Sequence, residues 1–229
     1  MQIGGIQRFS SIDFPGNLAA IVFTMGCNFR CPFCHNPELV IGGANMLSEE
    51  YVLQFLSMRV RQLEGVVISG GEPTLQPDLS DFIEKVRALG FQIKLDTNGS
   101  RPDVLGDLIA RKMLDFVAMD IKHVWARYAY AAGLQSVAIE KIQQSVALLM
   151  ASGIDYEFRT TVIRDFHNPQ DIVALSEQIR GARRYAVQEF IPEKTLSEDF
   201  AQKLPFERKS LEALAPEISK NVERFEIRQ

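Results

Sequence analysis

All three cysteines of the 229-residue chain fall within eight positions. Cys27, Cys31 and Cys34 stand in the stretch MGCNFRCPFCHNPE (25–38) with the spacing C-x3-C-x2-C. Three thiolates on one short loop can serve one metal centre. A structural zinc site takes four ligands, and disulfides take cysteines in pairs. A four-iron cluster is ordinarily held by four cysteines, so three would leave one iron open to a non-protein ligand. Open coordination is the mark of a site that does chemistry. A zinc knot completed by His35, His123 or His167 is a second reading, although Cys34 and His35 are adjacent and make poor partners on one tetrahedral ion. Three buried free thiols are a third.

Such a loop needs a scaffold. Apolar runs over 18–25, 65–70, 91–96, 114–122, 154–163, 184–191 and 222–228 read as strands. Apolar residues at helical spacing predict helices over 47–63, with Ser48 as N-cap, and over 79–89, 102–112, 136–150, 169–179 and 206–218. Strands alternating with helices imply parallel βαβ units. Periodicity does not separate a doubly wound sheet from a barrel-like one, but in both, ligands gather at the C-terminal ends of the strands. The polar motifs lie at those ends: Cys27 after the first strand, Gly70-Gly71-Glu72-Pro73 after the second, Asp96-Thr97-Asn98-Gly99 after the third, Asp120 and Lys122 after the fourth. Each has a plainer reading as a turn, a strand-end cap or a local ion pair. Arg159 sits in a strand with apolar neighbours, and a charge buried there needs a partner.

Composition narrows the class. The chain is 46% hydrophobic and 24% charged with a net charge of −4, which gives no strong pull toward nucleic acid or an anionic membrane. No apolar run reaches the length of a membrane span. The N-terminus MQIGGIQRFSSIDFPG lacks the pattern of a secretory signal, and an odd cluster of cysteines is a poor disulfide framework. A reducing, cytosolic compartment is expected. The chain is expected to form one domain over 1–229, with a core of about 18–192 and a C-terminal helix and strand in 197–229.

The cysteine spacing, with Phe33 just before the last cysteine, resembles the signature of the radical S-adenosylmethionine (radical SAM) superfamily. SGGEPTLQ (69–76) is similar to the Gly-Gly-Glu-Pro segment of that family. The resemblance implies a partial (β/α)6 TIM-like barrel in the α/β class and one [4Fe-4S] cluster on Cys27, Cys31 and Cys34. It implies that S-adenosylmethionine chelates the fourth iron and is cleaved reductively to a 5′-deoxyadenosyl radical. It gives Phe33, Gly70, Gly71, Glu72, Asp96, Asp120, Lys122 and Arg159 to cosubstrate binding, with Gly70, Gly71 and Glu72 near the amino group, Arg159 near the carboxylate, and a monovalent cation by Asp96 and Asp120. Bare backbone at the two glycines would let a ligand come close.

Within the superfamily, residues 3–40 resemble activating proteins of glycyl radical enzymes, most closely those of anaerobic ribonucleoside-triphosphate reductase. This implies a partner glycyl radical enzyme, most closely that reductase, and a flavodoxin or ferredoxin as electron donor. Activation of a pyruvate formate-lyase type enzyme, or radical chemistry on a small molecule or peptide, is the alternative. Three departures bear on the partner. Pro192 is followed by Glu193 and Lys194, so a histidine role known near this point in pyruvate formate-lyase activators is not carried over. No further cysteines allow an inserted ferredoxin-like unit. The chain is also longer than the shortest reductase activators.

Overall fold

The computed structural model describes residues 1–228; Gln229, the last residue of the expected domain, lies outside them. Among the described residues eight strands form one sheet in sequence order. They are β1 (Ile3–Ser10), β2 (Ala19–Thr24), β3 (Gly65–Gly70), β4 (Gln92–Thr97), β5 (Phe116–Asp120), β6 (Asp155–Val162), β7 (Arg184–Glu189) and β8 (Arg224–Arg228). β1 is antiparallel to β2, and β2 through β8 run parallel. The helices between them are α1 (Pro37–Ile41), α2 (Glu49–Ser57), α3 (Leu79–Ala88), α4 (Pro102–Ala110), α5 (Tyr128–Ala131), α6 (Ile139–Ala151), α7 (Pro169–Gln178), α8 (Glu198–Ala201) and α9 (Arg208–Ile218). No helix among the described residues is long and apolar enough to cross a membrane.

A doubly wound sheet reverses its strand order at a switch point. This order never reverses, so the helices collect on one face and the other face curls inward. Side-chain alternation shows the two faces. Val22, Val66, Ile68, Ile93, Leu95, Val117, Met119, Phe158 and Val187 pack in one cluster with the helix residues Phe55, Phe82, Ile142 and Leu175. Each such side chain contributes roughly 1.5–3 kcal/mol by burial. Ala19, Ile21, Val67, Phe116 and Ala118 form a separate, smaller cluster on the inner face, closed below by Phe14. Phe14 lies 6.1 Å from Phe116, ring to ring. A Cβ at Gly65 would come within 2.7 Å of the Phe14 ring, so the strand passes the plug only as glycine. β1 pairs with β2 alone and β8 with β7 alone, which leaves the barrel open between its edges. Strands β2 to β7, each followed by helix, are the six units of the expected partial barrel.

Two helix starts are fixed by side-chain caps, the first of them the expected one. Ser48 Oγ accepts the N–H of Tyr51 at 3.2 Å. Asn168 and Asp171 form a reciprocal capping box at 2.7 and 3.0 Å. One helix is shorter than its apolar spacing predicts: α2 stops at Ser57, and Arg61 takes a left-handed φ of 74°, turning the buried Leu63 back onto the core. β1 is an addition, because its IGGIQRFS pattern mixes glycine and polar residues and carries little strand signal.

Candidate active site

The cysteine loop leaves β2 at Met25 and is held on all sides. Gly26 N–H donates to Leu39 O at 2.7 Å, and Arg30 N–H donates to Ala132 O at 2.7 Å. The Arg30 guanidinium folds back onto the carbonyls of Cys27 and Phe29 at 2.6 and 2.8 Å. Phe29 packs edge-on against Tyr128, and the buried Phe33 packs against Phe166 and Phe200. All three cysteines are free and line one cavity of about 370 Å³, together with Phe33, Gly70, Gly71, Glu72, Asp96, Asp120, Lys122 and Arg159. The structure therefore brings every sequence-predicted site residue to one place. Cys27 Sγ accepts the N–H of Phe29 at 3.3 Å and lies 3.9 Å from Asn98 Nδ2. Burial pushes the Cys31 thiol up to about 12 and raises Cys27 as well, with nearby Lys122 acting in the opposite sense.

None of the three histidines offers itself as a fourth ligand. The His35 ring packs on Phe190 at 5.8 Å and hydrogen-bonds the Lys194 backbone, and burial lowers its pKa. His123 and His167 stack on each other at 4.5 Å. Their ring nitrogens all meet backbone. Nδ1 of His123 accepts from Val124 at 2.8 Å and Nδ1 of His167 from Ile163 at 3.2 Å, so each Nε2 carries the proton, toward Phe166 O and Lys122 O respectively, both at 3.2 Å.

The turn after β3 gives its glycines a further reason beside the sequence reading. A Cβ at Gly71 would stand 1.9 Å from Gly26 O, and one at Gly70 would stand 2.3 Å from Thr24 N. Gly70 also has a φ of 118°. The close neighbour of this bare backbone is the protein's own cysteine loop. Glu72 is likewise committed. Its carboxylate is fully buried and accepts from Thr74 N at 3.1 Å, Thr74 Oγ1 at 2.5 Å, Thr97 Oγ1 at 2.8 Å and Asn98 N at 2.6 Å. Burial raises its pKa, and these hydrogen bonds pull the other way. Glu72 thus ties the turn after β3 to the turn after β4. Asn98 extends the tie to Asn28 at 2.9 Å.

At the rim, two carboxylates meet three cations. Arg159 Nε donates to Asp120 Oδ1 at 2.9 Å, and its Nη1 lies 3.5 Å from Asp96 Oδ2. Lys122 Nζ donates to Asp120 Oδ2 at 2.9 Å. Lys94 Nζ donates to Asp96 Oδ1 at 2.5 Å, and Ser69 Oγ to Asp96 Oδ2 at 3.1 Å. Burial alone would raise both aspartates. The guanidinium of Arg159, with Lys122 at Asp120 and Lys94 at Asp96, overcomes it and holds both below the usual range. Lys122 and Arg159 are correspondingly raised against the desolvation that would lower them.

Sequence reasoning missed Lys94, Asn28 and the bracing role of Asn98. The signal for Lys94 was available: it stands two residues before Asp96 in one strand, and so on the same face.

The donor set fits a four-iron cluster. Each cysteine of such a cluster binds its own iron, so the sulfurs surround the centre and do not meet at one point. Among the described residues no three His, Cys, Asp or Glu side chains converge on a single ion position, as a zinc knot would require. Three thiols, no histidine to complete them and a cavity beside them match a cluster with one open iron.

The family model for the radical SAM superfamily matches residues 21–179. A protein of Methanocaldococcus jannaschii whose name assigns it to glycyl-radical enzyme activation is 31% identical over 212 residues, covering 91% of this chain and 87% of its own. The pyruvate formate-lyase-activating enzyme of Clostridium pasteurianum is 28% identical over 234 residues, covering 98% and 96%. Among solved structures, Streptococcus suis SuiB bound to S-adenosylmethionine superposes with a TM-score of 0.69 at 16% identity, over 89% of this chain and 48% of that one. A domain of a pyruvate-formate lyase-activating enzyme from Bacteroides vulgatus gives 0.58 at 14% identity, over 72% and 99%. At these identities the structures speak for the fold alone.

Proposed function

The chain belongs to the radical SAM superfamily and, within it, to the glycyl-radical-enzyme activating enzymes, and on that premise we propose that it installs a glycyl radical on anaerobic ribonucleoside-triphosphate reductase. Members of the family use a [4Fe-4S] cluster and S-adenosylmethionine; bound together, these supply one-electron cleavage of the S–C5′ bond and removal of a hydrogen atom from the partner's glycine. Residues 1–229 act as one unit in a reducing, cytosolic and anaerobic setting, with a flavodoxin or ferredoxin as electron donor.

The protein's own residues bind, orient and exclude water. Cys27, Cys31 and Cys34 would hold the cluster. Phe29 and Phe33, both buried, brace the loop and exclude water from its inner side. Glu72 fixes the turns after β3 and β4, so that the backbone of Gly70 and Gly71 faces the amino end of the cosubstrate. Lys122 and Arg159 supply positive charge for its carboxylate, a preorganised arrangement that needs no rearrangement on binding. The open edge between β1 and β8 admits a segment of the partner chain to the inner face.

The observation that carries this reading is the meeting of three free cysteines, without a fourth protein ligand among the described residues, with the charged rim in one cavity. The resemblance over residues 3–40 supports the reductase as partner. The full-length similarity to a pyruvate formate-lyase-activating enzyme favours a second reading, in which the partner is of that type. The test is a reconstituted, reduced sample given S-adenosylmethionine and each candidate partner deuterated at its glycines. The first reading expects deuterium in 5′-deoxyadenosine with the reductase and not with the lyase; transfer from the lyase alone supports the second, and transfer from neither refutes both.

A further inference from the structure

The carboxylates of Asp96 and Asp120 are the two groups to which the family resemblance gives a monovalent cation. The residues around them do not suit one. Lys94, Lys122 and Arg159 carry three positive charges against the two negative ones. Each of the four carboxylate oxygens already faces a side-chain donor: Lys94 at Asp96 Oδ1, Ser69 and Arg159 at Asp96 Oδ2, Arg159 at Asp120 Oδ1 and Lys122 at Asp120 Oδ2. An added cation at these two carboxylates would meet three positive side chains and would have to displace one of these donors.

Lys94 is the unusual member. It is 1% exposed, and its stem rises from the inner face of β4 beneath Asp96. Its Nζ lies 5.9 Å from the Phe116 ring centroid. Asp96 is its one carboxylate partner among the described residues. A buried ammonium is held only by such pairing. An ammonium and a potassium ion are alike in charge and close in size, and both bind carboxylate oxygen.

We infer that Lys94 is the built-in cation of this rim, standing where a monovalent metal ion would otherwise bind, so that the chain takes up the carboxylate end of its cosubstrate without an alkali metal. The part concerning cosubstrate rests on the proposed function; the part concerning metal ions does not. With Lys94 present the rim is net positive and complements one incoming carboxylate. With Lys94 removed, Asp96 Oδ1 is freed and the remaining charges cancel, which opens a place for a cation.

Two measurements test this. Crystals of the wild type and of Lys94→Met are soaked in thallium(I) acetate, with thallium as the potassium probe. The wild type should show no anomalous peak between Asp96 and Asp120, and the variant should show one; a peak in the wild type overturns the inference, as does an ordered variant crystal without one. Affinity for S-adenosylmethionine is then measured by calorimetry on the reconstituted holoprotein, in choline chloride and in potassium chloride at equal ionic strength. The wild type should change by less than about twofold, while Lys94→Met should bind about tenfold more tightly in potassium than in choline, as expected for restoring one nearby charge. A tenfold potassium dependence of the wild type overturns the inference, and so does equal loss in both salts for the variant, which is what a merely structural lysine gives. If the wild type binds no S-adenosylmethionine while thallium behaves as expected, the proposed function fails and the assignment of Lys94 stands. The wild-type arms need no variant to fold.

Discussion

The buried carboxylate of Glu72 accepts the backbone N–H of Asn98 at 2.6 Å, joining the turn that follows β3 to the turn that follows β4. Asn98 in turn reaches toward the sulfur of Cys27. One hydrogen-bonded path therefore runs from the centre of the Gly-Gly-Glu-Pro segment to the first cysteine. Glu72→Gln places a donor amide where Oε1 or Oε2 now accepts, and leaves Thr74, Thr97 or Asn98 unpaired at a fully buried position. The expected loss is about 1–3 kcal/mol of stability for the buried, unmade hydrogen bond, read by thermal or denaturant unfolding, with a lower iron content after reconstitution. Unchanged stability would show that the brace is not needed.

Gly71 gives a sharper test of the contact between loops. Any Cβ there collides with Gly26 O, so Gly71→Ala should push the cysteine loop off its seat and lower bound iron. Gly106→Ala is the control, because its nearest neighbour would be Leu148 Cδ1 at 3.6 Å, an ordinary contact. Iron per chain after identical reconstitution should fall in the first variant and hold in the second.

The thiols predict a proton count. Cys31, pushed up to about 12, and Cys27, raised by burial, are protonated at neutral pH in the metal-free protein. Ligands must lose their protons to bind iron, so loading should release a proton from each of these thiols in a pH-stat measurement. Cys31→Ala should abolish cluster binding and cosubstrate cleavage together; retention of both would refute the ligand assignment.

The stacked histidines predict an acid limb in stability. Burial, and then the neighbouring His123, push His167 down to about 3, and burial lowers His123 too. In the unfolded chain both titrate near an ordinary value of about 6.5. The unfolded state therefore binds more protons below that value, and stability rises with pH through this window. The contribution is complete above about pH 6.5 and falls as pH drops toward the folded value, with His167 alone costing roughly 2–3 kcal/mol by about pH 4.5. Denaturant midpoints against pH should show this slope, and His167→Gln should flatten it. A flat profile in the unaltered protein would mean that the rings do not stay neutral.

Much of this was legible in the sequence. The alternation of strand and helix gave six parallel units because each crossover returns an apolar helix face to the same side of the sheet. The rim was legible because turns at strand ends collect the ligand groups of such folds, and all of Cys27, Glu72, Asp96, Asp120, Lys122 and Arg159 line the cavity. Three things were not. β1 is held by pairing with β2 and by one apolar end, with little pattern of its own. Gly70 and Gly71 line the cavity, but the sequence does not show that another loop of the same chain also lies against them. Lys94 shares a face with Asp96 by spacing alone, but its burial was not legible, because that depends on the curl of the sheet.

The most direct test of the central claim is electron paramagnetic resonance on the anaerobically reconstituted, reduced protein mixed with S-adenosylmethionine and anaerobic ribonucleoside-triphosphate reductase. The predicted result is a glycyl radical doublet that appears only when all components are present and collapses when the reductase glycines are deuterated at Cα. Cosubstrate cleavage without a glycyl signal on the reductase would contradict it.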